Sequence, residues 1–178
     1  MPVSVSPWGA LYDHLCEETE GAWQVSGPEG YYSEPRLSFD AAGSRLRDML
    51  NQCVLLAQKS PLFLRHGALC FKGPKILGEG YNDTRPSPWA WQTLRKNIPE
   101  NHVHFRNSHA EVSCMRNVGE KALRGADMMV VRIGRPLGQE LRFSRPCKYC
   151  HGLLKKKGIR KVYYSMDSDS FGIMDIRE

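Results

Sequence analysis

At 178 residues and 20.2 kDa, the chain suits one domain with an appended arm rather than several domains. Its 41% hydrophobic share supports a folded core, and no stretch approaches the ~18 apolar residues of a membrane span, so no membrane partner is expected. The net charge of +6 and pI near 9.1 favour anionic partners, a nucleotide phosphate or a nucleic-acid backbone, without choosing between them.

The opening MPVSVSPWGALYDHL has no basic segment followed by an apolar one, so no secretory leader is expected and the chain reads as cytoplasmic. Cys16, Cys53, Cys70 and Cys114 then read as reduced, buried or half-buried thiols. Residues 1–38 are rich in Ser, Pro, Gly and acids, yet Trp8, Trp23, Tyr31 and Tyr32 are too many aromatics for a plain disordered tail. They are assigned to a partly ordered extension, and residues 39–178 to the main domain.

Asp40 is read as a helix N-cap, followed by Leu46, Met49, Leu50, Cys53, Val54 and Ala57 at helical spacing, with Pro61 as the stop. Arg65–Lys72 and Lys75–Tyr81 form a predicted hairpin turned at Gly73-Pro74, in which Gly67 and Gly80 would let the backbone approach a ligand. Residues 83–107 form a long insert in which Trp89, Trp91, Arg95, Lys96 and Arg106 mix aromatic and basic groups. Such a mix suits base stacking and phosphate pairing, or alternatively a lid or subunit contact. A helix is predicted from His109, a buried strand at 126–133, and a further helix opened by Pro146 and closed by Gly158. The strand 159–164 follows, joined through a helix and so expected parallel to the preceding one. This order describes an α/β fold, a three-layer α-β-α sandwich on a mixed five-stranded sheet.

Two stretches carry the chemistry. Ser108-His109-Ala110-Glu111 is weak evidence alone, and Pro146-Cys147-Lys148-Tyr149-Cys150 is moderately suggestive. Together, in that order, they supply one imidazole and two thiolates: three protein ligands for a tetrahedral zinc, with the fourth position left for water. Glu111 need not be a ligand and can manage protons beside the metal. The pair resembles the H-x-E…P-C-x-x-C signature of the zinc-dependent deaminases, and Gly80-Tyr81-Asn82 adds a third match specific to the cytidine and deoxycytidylate deaminase superfamily.

The resemblance implies a cytidine deaminase-like fold, one Zn²⁺ per chain held by His109, Cys147 and Cys150, and Glu111 as the proton shuttle. Zinc lowers the pKa of bound water to roughly 7, and the resulting hydroxide would attack the base carbon that carries the amine. It further implies substrate contacts from Asn82, the Ala110 amide and a carbonyl near Arg145. Arg85, Arg106 and Lys148 are candidates for phosphate or nucleic-acid contacts. His102 and His104 would allow a second metal in the insert, although no cysteine or acid stands beside them.

Three readings follow. The first is a deaminase of a cytosine nucleoside or nucleotide such as cytidine or dCMP, releasing ammonia. The second is a deaminase acting on a base within RNA or single-stranded DNA, supported by the charge, Lys155–Lys157 and a likeness of Gly-Glu-Gly-Tyr-Asn82 to the bacterial tRNA adenosine deaminases. The third is a zinc-stabilised binding module without turnover, which would leave Glu111 without a purpose. The family also implies a homo-oligomer. The long stretch between the Met128–Ile133 strand and Cys147 departs from the family's short link.

Overall fold

The computed structural model describes residues 35–85, 87–89, 92, 107–134 and 140–176. Cys16, Trp91, Arg95, Lys96, His102, His104, Arg106, the Arg135–Gln139 link and most of the 1–38 extension therefore lie outside the described residues. Among the described residues the sheet has seven strands rather than the expected five: β1 (Arg36–Ser38), β2 (Arg65–Lys72), β3 (Lys75–Tyr81), β4 (Asp127–Ile133), β5 (Leu141–Arg142), β6 (Lys161–Ser165) and β7 (Ser170–Asp175). The strands β1 and β5 are too short to print an alternating pattern on the sequence. Their spatial order is β1-β7-β6-β4-β2-β3, with β5 also on β4. The β4–β6 pair is parallel, as its helical crossover requires, and the other pairs are antiparallel.

Alternation along the strands builds two cores on opposite faces. On one face helix α1 (Ser44–Gln58) lays Met49, Leu50, Cys53, Leu56 and Ala57 over Leu69, Phe71, Met129, Val131, Ile133 and Phe171. On the other, α2 (Ala110–Met115), α3 (Glu120–Leu123) and α4 (Lys148–Lys157) cover Ala68, Cys70, Met128, Val130, Val162 and Tyr164. This is the three-layer α-β-α sandwich. Gly158 closes α4 at φ 78°, a left-handed conformation that glycine adopts without steric cost. Lys155, Lys156 and Lys157 fill the last turn, where cations favour the helix dipole.

Two local expectations change. Asp40 is not the cap of α1, which begins after Gly43 and has no side-chain cap. Asp40 instead sits in the turn out of β1, where its amide donates to Ser38 Oγ at 3.3 Å. Nor do the hairpin glycines face a ligand. A Cβ on Gly67 would fall 2.1 Å from the Cys53 carbonyl oxygen of α1, and one on Gly80 would fall 2.3 Å from the Cys114 amide of α2. Both glycines let a helix backbone lie directly on the sheet.

The β2–β3 hairpin carries a β-bulge. Near the turn Phe71 pairs with Ile76, but beyond it Cys70 pairs with Gly78 and Gly67 with Tyr81, leaving Leu77 as the extra residue. Continuing that register sets Asn82 opposite His66, where the Asn82 amide donates to the His66 carbonyl at 3.2 Å.

Candidate active site

The three candidate metal ligands come from two helix starts. His109 is the N-cap residue of α2, in extended conformation. Cys147 is the N-cap residue of α4, and its Sγ accepts from the Cys150 amide at 3.4 Å. An N-cap side chain turns back over the third residue of its own helix. A Cys-x-x-Cys placed there brings both sulfurs to one point. The helix thus starts at Lys148, and Pro146 precedes the cap instead of occupying the first turn.

His109 Nδ1 lies 3.3 Å from Cys150 Sγ and 3.8 Å from Cys147 Sγ. All three donor atoms fall within 4.8 Å of one another. A tetrahedral zinc with bonds of about 2.3 Å to sulfur and about 2.0 Å to nitrogen has donor–donor edges of roughly 3.5–3.8 Å. The spacing fits, and a mixed sulfur and imidazole set suits zinc rather than a hard cation. Among the described residues no fourth acid, cysteine or histidine joins this group.

Glu111, in the first turn of α2, is buried beside the Cys150 sulfur. Burial pushes its carboxyl above the usual range, opposed by the nearby His109. The hydrogen bond from the Cys150 thiol holds Cys147 well below the usual thiol range, aided by His109 and the Cys150 amide, and Cys150 rises correspondingly. One sulfur is thereby readied as a thiolate, the form that binds metal.

Ala110 is the first residue of α2, so its amide has no acceptor within the helix. Arg145 is half-buried two residues before Cys147. Asn82 is buried and its amide is engaged by the fold: Oδ1 accepts from the His66 amide at 2.8 Å and Nδ2 donates to Leu64 O at 2.5 Å. Arg85 is exposed and paired with Asp83 at 2.6 Å, and Lys148 is exposed over the Tyr149 ring at 5.1 Å. Neither is brought into the donor cluster.

Several residues that position the site were not singled out from the sequence. Asp83 and Ser108 exchange backbone hydrogen bonds, each 2.9 Å, which clamps the base of the insert one residue before His109. The buried Ser144 hydroxyl donates to Val130 O and accepts from the Ser165 amide, both at 2.9 Å, and so ties the approach to Cys147 onto β4 and β6. Trp89, read as a base-stacking candidate, packs against the core under the Lys157 ammonium, 5.0 Å from its ring centroid. Lys157 also pairs with Glu120. His66 is another residue not singled out, on the same sheet face as Ala68 and close enough to His109 and Cys147 for their charges to act on it. Burial, then His109, lowers its pKa to about 4, so the ring is neutral at pH 7.

The profile of the cytidine and deoxycytidylate deaminase zinc-binding region matches residues 44–166. No curated protein sequence matches the chain. Among solved structures, the dCMP deaminase of cyanophage S-TIM5 in apo form is 19% identical, with a TM-score of 0.46 over 70% of this chain and 86% of that one. The same phage protein in complex with dCMP and dUMP is 20% identical, with a TM-score of 0.45 over 69% and 82% of the two chains. Acinetobacter baumannii RibD is 20% identical, with a TM-score of 0.41 over 68% of this chain but 28% of its own length.

Proposed function

We propose, from the premise that this chain belongs to the cytidine and deoxycytidylate deaminase family, that it hydrolytically deaminates the cytosine of a free nucleoside or nucleotide, dCMP or cytidine in the simplest case, and releases ammonia. The observation that carries this reading is the meeting of His109, Cys147 and Cys150 with Glu111 buried against them. His109 Nδ1 and the two sulfurs would hold the zinc, which when bound supplies a Lewis acid that acidifies water at neutral pH.

The chain's own residues do the rest. Glu111 takes a proton from the attacking water, passes it to the ring nitrogen, and then helps the departing amine. Its burial keeps bulk water from competing for that proton. The Ala110 amide, at the N-terminus of α2, would donate to the base, and a carbonyl near Arg145 would accept from it. Arg85, Arg106 and Lys148 are proposed for the phosphate, with one metal per chain and a homo-oligomer as the assembly. The proposed division keeps residues 1–38 as extension, although Arg36–Ser38 contribute a strand to the sheet.

The engagement of Trp89 and Lys157 in packing favours a free nucleotide over a polynucleotide, because two groups suited to a strand are used within the fold. The test is incubation of the zinc-loaded protein with dCMP, cytidine, single-stranded DNA and tRNA, following ammonia and base identity. Turnover of the small substrates alone is expected. Turnover of a polynucleotide alone, or of nothing with zinc bound, would refute the reading.

A further inference from the structure

The hairpin register puts one more polar side chain on the working face of the sheet. Gly67 presses on α1, so the alternating neighbours His66 and Ala68 point to the other face, where α2 lies. The Ala68–Gly80 pair sits beneath α2, with Ala110 O and Cys114 N over Gly80, while Gly78 lies under Cys114 O and Val118. Helix α2 therefore runs along β3 from Gly80 toward Gly78. One pair further out in the opposite direction, His66 and Asn82 lie at the N-terminal end of α2, the end that carries His109 and Glu111.

The hydrogen bonds there say which of the two is available. Asn82 is engaged on both sides of its amide by the backbone of residues 64 and 66. Its Nδ2 also lies 3.5 Å from His66 Nδ1. Nδ1 also lies 3.4 Å from Leu64 O, so Nδ1 is engaged by the fold in either tautomer and Nε2 is the ring nitrogen left to meet a ligand. Among the described residues, no hydrogen bond is made by that Nε2. The residue as a whole is half-buried.

We propose that His66 is a substrate-binding residue of this site: its Nε2 shares a hydrogen bond with an oxygen of the bound nucleoside, and Asn82 is the positioning residue that fixes the imidazole. This rests on the nucleoside or nucleotide reading above. The contact would be made equally in the ground and transition states, because Nε2 is not among the groups that meet the reacting carbon. Its loss should therefore raise KM and leave kcat.

The experiment compares zinc-loaded wild type, His66→Phe and His66→Gln on dCMP, with zinc content and thermal midpoint measured for each. Phenylalanine keeps a ring without a polar atom, whereas the glutamine amide can place a donor or an acceptor near Nε2. KM should rise roughly five- to tenfold in His66→Phe with kcat within about twofold, and return close to wild type in His66→Gln. A structural role would impair both variants together. Repeating the series on the 2′,3′-dideoxy nucleotide locates the oxygen: the effect vanishes there if the oxygen is a pentose hydroxyl and persists if it is the base carbonyl.

In parallel, the His66 ring resonance of the wild-type zinc protein is followed during titration with dUMP, which needs no variant to fold. Unchanged KM in a folded, zinc-bound His66→Phe, or an unmoved resonance at dUMP saturation, would overturn the assignment. If nothing is deaminated yet dUMP moves the resonance, the deaminase reading fails and the binding role stands. Normal turnover with KM indifferent to residue 66 gives the reverse. Neither binding nor turnover removes both.

Discussion

The two faces of the sheet are built alike and used differently. Each is covered by a helix that rests its backbone on a strand glycine, α1 on Gly67 and α2 on Gly78 and Gly80. Under α1 the buried layer is apolar, and Cys53 there merely donates its thiol toward Met129 O at 3.7 Å. Under α2 and α4 the same kind of packing ends at a rim of His66, Asn82, His109, Glu111, Cys147 and Cys150. The lesson is positional. A helix interior supplies area, which is interchangeable, while a helix N-terminus supplies directed side chains and unpaired amides, which are not.

Breaking the comparison on the chemical side has the largest effect. Cys150→Ser should reduce zinc to well below one per chain by metal analysis and abolish measurable deamination, because two remaining protein ligands hold the ion poorly. The matching change on the other face, Cys53→Ser, should leave zinc content unaltered. Next, Glu111→Gln should keep zinc and fold but lower kcat by roughly 10²–10⁴, the usual share of a positioned acid–base group. Loss of zinc in that variant would show that Glu111 is a ligand after all.

A paired substitution sharpens the contrast. Gly67→Ala and Gly80→Ala each drive a methyl into helix backbone, at 2.1 Å and 2.3 Å. Both should destabilise by about 1–3 kcal/mol in denaturant titration. Only Gly80→Ala should also depress turnover at temperatures where the variant is folded, since it lifts the helix that carries Glu111. Equal activity losses in the pair would mean the site depends on global stability alone. Smallest of all, Cys53→Ala should cost about 1 kcal/mol in thermal unfolding, with turnover unchanged.

Much of this was legible in the residues, and the failures are instructive. The buried stripe of α1 and the end of α4 at Gly158 could be read because they repeat over a few residues. Asp40 misled because a residue well suited to capping lies three residues before the actual N-cap, Gly43, in the turn out of β1. Trp89 misled because an aromatic beside basic residues looks the same whether it stacks on a base or beneath a lysine of its own fold.

The sequence alone determined the donor chemistry: an imidazole, two sulfurs and a carboxylate, whose local spacings, His-x-Glu and Cys-x-x-Cys, are set within a single turn of chain. The fold then decided which polar groups join them. One extra residue at Leu77 shifts the pairing so that Asn82, rather than Tyr81, faces His66. Counting from the Gly73-Pro74 turn cannot reveal that shift. A bulge is settled by how β3 meets α2 and β2 meets β4 across the sheet, contacts between segments far apart in sequence whose energies no local pattern records.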